Sequence, residues 1–343
     1  MSPATRRPAA PRPGLPGSVV AAGYMTLASL PVILAAVSGP GSADFWRAFG
    51  AACGLTALAI MALQFLSSGR FEFLSGRLGI DRTMGFHRIS ALLLAALLVL
   101  HPLAYVAPDL LSDPGAGIER LVRMFGAPHL RSGAVALIAI LAIAAFALVR
   151  SKSPVRYEIW RASHGTMALG AFGFALHHAM VLGAGGGATM QGLFIGFGVV
   201  AALSIAWTTL LRPFWSARRP WVIESVRPLG SGITEIELRE MNPGGFSFRA
   251  GQFVWVWPRP SALWFTDHPF SIASAPAALP RMRLLIREAG KGTAELCKAR
   301  PGTILSLDGP HGSLQLDEDA KGPVLLVAGG VGIAPLLGIL EEA

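Results

Sequence analysis

The sequence predicts a membrane all-α six-helix bundle, then a small antiparallel β-barrel, then the first strand and helix of an α/β domain. Three observations carry this. Six apolar stretches, each long enough to cross a hydrocarbon layer of about 30 Å, fill the chain up to about residue 211. From Trp221 the apolar residues fall into strand-length runs broken by Gly and Pro. Near the end the run PVLLVAGGVGIAP joins an apolar strand pattern to a glycine turn, the way a βα unit opens.

Composition supports the split. Of 343 residues, 52% are hydrophobic and 14% charged, against about 25% charged in soluble domains. The length admits two domains or more. The net charge of +9, from 29 basic and 20 acidic residues, gathers at the flanks of apolar stretches, where basic residues set topology. Membrane lipid is therefore the expected partner, and no nucleic acid. Cys53 and Cys297 form no motif, so neither a disulfide framework nor a thiolate metal site is expected.

Residues 1–17 are rich in Pro, Ala and Arg without an apolar face, and read as a disordered basic tail. Arg6-Arg7 does not read as an export signal, because the apolar stretch that follows is too long and five more come after it. The bundle occupies 18–211, with spans at about 18–38, 45–66, 86–107, 131–150, 163–183 and 190–211. Basic residues mark the tail, the 67–85 and 150–162 loops and the exit from the sixth span, while the alternate loops are poor in them. Both termini are thus expected to be cytoplasmic in a multi-pass protein of the cell inner membrane. Arg212-Pro213 is expected to end the last span.

The third and fifth spans carry histidines. His87 and His101 lie fourteen residues apart, about 21 Å along a helix and within about 40° of the same direction. His164, His177 and His178 repeat nearly the same spacing on the fifth span. Two such pairs read as axial ligands for two haems stacked at different depths. A lone buried histidine is more often satisfied by hydrogen bonds; two matched pairs favour ligation.

In the soluble part the expected strands are WVIESV, GITEIELRE, FRAGQFVWVW and MRLLIRE. After MRLLIRE comes AGKGT, a glycine turn opening a helix with Thr293 as its expected N-cap. Free N–H groups there, close approach at Gly290 and Gly292, and Arg287 at the strand end suit a pyrophosphate. Between the strands lies DHPFSIASAP, and before the last run DGPHGSLQL.

Taken in this order, the histidine pairs with YEIWRASH, then HPFSIASAP, then VAGGVGIAP resemble the ferric reductase and NADPH oxidase superfamily from residue 18 to the end. The resemblance implies a ferric reductase-like transmembrane domain with two haem b, and a ferredoxin-reductase-type FAD-binding barrel at 215–321. It further implies the start of an NAD(P)-binding domain at 322–343. By resemblance, His87 and His164 ligate the inner haem and His101 and His177 the outer one. The family commonly spaces the fifth-helix pair by thirteen; straight helix geometry favours His178, and the choice stays open. His268, Pro269, Phe270 and Ser271 would line the isoalloxazine and ribityl part of FAD. Arg287, Gly290 and Thr293 would hold its pyrophosphate, and Gly329, Gly330 and Gly332 would open the NAD(P)H site. His311 departs from the aromatic residue usual in GPHG.

The implied activity passes electrons from cytoplasmic NAD(P)H through FAD and both haems to O2, giving superoxide, or to a ferric chelate. No residue is assigned as catalytic, since the cofactors carry the chemistry. A doubly wound domain needs about 100 residues more, so a missing segment or a partner is expected to complete the nucleotide site. The visible stretch alone is expected not to oxidise NAD(P)H at an enzymatic rate. The rival reading is a transporter with a histidine relay and a soluble regulatory barrel, which leaves HPFSIASAP unexplained.

Overall fold

The computed structural model describes residues 14–38, 44–68, 71–182, 187–257, 267–316 and 322–343. Most of the expected basic tail, Arg70 and residues 183–186 of the glycine loop lie outside the described residues. The chain divides into two compact units, one of Pro16–Phe71 with Asp81–Ile205, the other of Leu15, Glu72–Ile80 and Ala206–Ala343.

Six helical spans long and apolar enough to cross a membrane are present, at 17–38, 45–66, 80–112, 128–148, 159–182 and 187–217. The first unit holds α1 (Gly17–Ser38), α2 (Phe45–Leu66), α4 (Ile80–Ser112), α5 (Pro114–Gly126), α6 (Arg131–Leu148), α7 (Tyr157–Leu182) and α8 (Gly187–Ala206). Asp44 starts α2 by accepting from the Trp46 N–H at 2.9 Å, which satisfies one of the helix's orphan donors. α2 is the central helix: half of its apolar window is buried, against 11% for α1. Its Ala57, Leu58, Ile60 and Leu63 pack with Leu94 of α4, Ile140 and Ile143 of α6, Phe172 of α7 and Phe194 of α8. Other large apolar side chains of the spans, such as Ile33, Leu93, Ile138 and Leu203, face outward, as lipid-facing surfaces do.

The second unit contains α3 (Glu72–Leu78), α9 (Arg212–Ala217), a six-stranded antiparallel sheet, α10 (Lys291–Cys297) and α11 (Ile333–Glu342). Arg212-Pro213 does not stop the sixth span. Residues Trp207–Leu211 widen into a π-helix, and α9 restarts with Pro213 in its first turn. The Arg212 N–H reaches back five residues to the Trp207 carbonyl, and this wider turn stands where the proline interrupts the regular helical ladder.

The strands are β1 (Pro220–Gly230), β2 (Ile233–Glu240), β3 (Phe253–Trp257), β4 (His268–Ser271), β5 (Arg281–Arg287) and β6 (Ile304–His311), in the order β4-β3-β6-β1-β2-β5. The two edges meet at a bridge between Ile272 and Leu284. Alternate residues, such as Ile236 and Leu238 of β2 and Val254 and Val256 of β3, fill the interior with Trp221 and Met282. β4 and β6 were not among the expected strands, because HPFS and LSLDGPH carry Pro and polar residues that obscure alternation.

The expected strand of the nucleotide-binding half is not formed. Residues 323–329 have no strand pairing, and Leu325 and Val327 are 87% and 79% exposed. A parallel strand is stable only when buried between neighbours, and no described strand lies beside it. The helix does form: α11 packs where a Cβ at Gly338 would stand 2.8 Å from the Ser274 carbonyl oxygen. Glu341 accepts from the Ala275 N–H at 3.1 Å and pairs with Arg283.

Candidate functional site

α4 presents His87 and His101, and α7 presents His164, His177 and His178. The structure brings His101 and His178 together, with ring centroids 6.3 Å apart and planes at 89°. Metal–imidazole bonds of about 2 Å and a ring radius of about 1 Å put two ligands on opposite sides of one metal about 6 Å apart, centroid to centroid. The pair therefore fits axial ligation. His101 Nδ1–H donates to the Gly50 carbonyl oxygen at 2.7 Å, which fixes the tautomer and leaves Nε2 with its lone pair. His178 Nδ1 is buried and has no hydrogen-bond partner among the described residues. A glycine backs each ring. A Cβ at Gly54 of α2 or at Gly133 of α6 would lie 2.7 Å from the ring of His101 or His178 respectively.

His177 and His178 are placed differently. The His177 side chain is exposed, while His178 turns inward. Measured from His164, thirteen steps leave the direction about 140° away and fourteen about 40°, so on this continuous helix the fourteenth residue shares the face.

At the other level, His87 sits in a polar network. The Ser67 hydroxyl gives its hydrogen to Gln64 Oε1 at 2.9 Å. The 3.1 Å bond between Ser67 Oγ and His87 Nδ1 thus takes its hydrogen from the imidazole. Gln64 Nε2 donates to the His87 carbonyl at 3.1 Å, and Ser90 donates to Gln64 Oε1 at 3.2 Å. His87 Nε2 again keeps its lone pair. His164 stands within electrostatic reach of His87 and lies against the Trp160 ring at 5.2 Å.

In the second unit the HPFS strand and the GKGT turn meet. A Cβ built at Gly292 would stand 2.0 Å from His268 Nε2, so only glycine leaves room for that imidazole. Phe270 lies 6.5 Å from His268, ring to ring, Pro269 is exposed and Ser271 half-buried. Thr293 is not the N-cap of α10. Gly290 is, and Thr293 at the third helical position accepts from the Ala289 and Gly290 N–H groups at 2.9 and 3.0 Å. The hydroxyl is thereby spent on shaping the turn. Arg287 is exposed at the end of β5. Gly329, Gly330 and Gly332 form the exposed turn ahead of α11, with Gly330 at φ +56°.

Comparison with known proteins gives the same two parts. The family "Ferric reductase like transmembrane component" matches residues 53–176, and the family "FAD-binding domain" matches 223–314. NADPH oxidase 1 of Mus musculus is 30% identical over 134 residues, covering 38% of this chain and 22% of that protein. The chain belongs to the ferric reductase and NADPH oxidase superfamily. Ferredoxin--NADP reductase B of Sorangium cellulosum is 37% identical over 122 residues, covering 35% of this chain and 49% of the relative. The chain thus spans half or less of these relatives. Among solved structures, the Amycolatopsis cytochrome P450 reductase GcoB overlaps 36% of this chain and 38% of its own, at 25% identity and a TM-score of 0.32.

One cluster of this superfamily member was not foreseen from sequence. Arg212 of α9 donates from Nε to Asp308 Oδ1 of β6 at 2.9 Å and from a terminal nitrogen to His311 Nε2 at 2.9 Å. The same His311 Nε2 lies 3.5 Å from Asp308 Oδ2, so the three side chains form one cluster. The departure noted at GPHG is thereby a packing partner for Arg212, with the His311 ring also 5.6 Å from Phe253. Burial alone would raise the Asp308 carboxyl's pKa; His311 and the Arg212 charge outweigh it and hold the group below the usual carboxylate range. A depressed carboxylate adds stability above its unfolded pKa of about 3.9 and loses it as pH falls further. Asp308→Asn is expected to destabilise the flavin unit by about 3–5 kcal/mol at neutral pH, as breaking a buried ion pair does. It should also flatten the acid side of the melting profile below about pH 4. Thermal flavin release from pH 3 to 7, read by fluorescence, checks both.

Gly54, Gly133, Ser67 and Gln64 were also unforeseen. The only sequence signal was a small residue on a neighbouring span, which plain helix packing explains equally well.

Proposed function

We propose that this transmembrane flavocytochrome oxidoreductase carries electrons from NAD(P)H, through FAD and two b haems, to O2 or a ferric chelate on the opposite side. The observation that carries the reading is the His101–His178 pair, spaced for one metal and backed by glycines. FAD would supply the change from hydride to single electrons, and the haems a one-electron relay. The protein's part is placement. His101 and His178 hold the outer haem, and His87 and His164 the inner one, with Gly50, Ser67 and Gln64 fixing imidazole tautomers from behind. His268 joins the GKGT turn at the FAD pyrophosphate, and Phe270 and Ser271 line the flavin beyond it. Each haem would be held by two histidines and would supply one-electron transfer to the acceptor. Gly329, Gly330 and Gly332, in the turn ahead of α11, would open the nucleotide site. The distribution of basic residues supports cytoplasmic termini.

The test is the absorption spectrum of purified protein. A haem Soret band together with flavin absorbance is the expected result; a colourless, folded protein would point to the histidine-relay transporter. Arg287→Ala should weaken FAD binding tenfold to about a hundredfold, the loss of one charged hydrogen bond, with the haem bands intact. Fluorescence titration with FAD measures it, and wild-type affinity would remove Arg287 from the site.

A further inference from the structure

We infer that α5 is an interfacial helix, whose outward apolar face is seated in the lipid headgroup–acyl boundary at the end of α4. The inference rests on the membrane placement of α4 and not on electron transfer.

α5 is separated from α4 by Asp113 alone, so it cannot leave the depth at which the span ends. Its start is built locally: Asp113 accepts from the Gly115 and Ala116 N–H groups at 2.9 and 3.3 Å, and Pro114 opens the first turn. Its direction is fixed by two contacts back to α4. A Cβ at Gly117 would lie 2.7 Å from the Leu110 backbone nitrogen, and Arg120 pairs with Asp109.

The helix has three sectors. Counted from Gly117 at about 100° per residue, Leu121 and Met124 fall within about 40° of it. Gly117 is buried and these two half-buried, so this sector faces the protein. Ile118, Val122 and Phe125 gather at about 80–140°, yet they are 58%, 66% and 40% exposed. Glu119 and Arg123 fall at about 200–240° and pair with one another. Protein, apolar and charged sectors thus follow in order round one short helix, which is how a helix lies in a bilayer surface. The apolar sector continues the outward surface of α4, whose last turn carries Leu111 at 75% exposure. A partner protein would have to displace lipid there; the bilayer is already against the adjoining turn. The seating bears on the histidines too, because residues 128–130 lead from α5 into α6, whose Gly133 backs His178.

The experiment uses the full chain, one copy per lipid nanodisc. Photolysis with a phosphatidylcholine carrying a diazirine on its acyl chain should label Ile118, Val122 and Phe125 and spare Glu119 and Arg123, as mapped by peptide mass spectrometry. Labelling of the spans is the internal control. In parallel, Val122→Cys should react with a sulfonated maleimide at least about tenfold more slowly than Arg123→Cys, since the reactive thiolate needs water. Labelled spans with no adduct on 114–126 would overturn the inference. So would equal maleimide rates, which mean an aqueous face, or protection seen only with two copies per disc, which means a second copy covers it.

Discussion

His178→Ala is expected to remove about half of the haem, one of two bis-histidine sites, while His177→Ala leaves the haem content unchanged. The two residues are neighbours in sequence and identical in chemistry, so the contrast isolates geometry. His178 faces His101 at 6.3 Å, and His177 is exposed. His101→Ala should match the His178 variant, because one axial position cannot hold the group alone. The measurement is the pyridine haemochrome ratio to protein, with flavin absorbance as a fold control. Loss of haem in the His177 variant, with retention in the His178 variant, would restore the thirteen-residue spacing.

Gly292→Ala is expected to lower FAD affinity by about a hundredfold, a loss of roughly 3 kcal/mol of charged hydrogen bonding. The added Cβ would occupy space 2.0 Å from His268 Nε2. The imidazole must swing away from the turn, and any bond it would give to a bound phosphate would go with it. His268→Ala should give a similar loss without steric insult, and the double variant should be no worse than the worse single one, as for residues acting as a unit. Additive losses would mean that Gly292 and His268 act separately. Haem content should hold in all three variants.

The readable parts of this chain were those set by local chemistry. Six spans announce themselves by length and hydropathy, and HPFSIASAP and AGKGT stand out as two motifs that the fold brings together. That His178 and not His177 shares the face of His164 was also legible, because rotation per residue sets it on an unbroken helix. Thr293 was misread because threonine serves equally as an N-cap or, three positions in, as the far side of a capping box. VLLVA has strand composition, but composition supplies no neighbours, and without them the segment stays exposed. The glycines behind the imidazoles were silent because a close approach is a property of two helices, written in neither alone.

The π-helical stretch before α9 has a bearing on what this segment can tolerate. A π turn amounts to one extra residue in an α-helix, and so advances everything after it by about 100°. Here what comes after is Arg212, aimed at Asp308 and His311. Deleting any single residue of Trp207–Leu211 would restore the α-helical phase of this segment, whichever residue was removed. Length, more than identity, is constrained there. Substitutions along WTTLL should be absorbed where one-residue deletions or insertions are not, and a compensating change of opposite sign before Arg212 should bring the phase back.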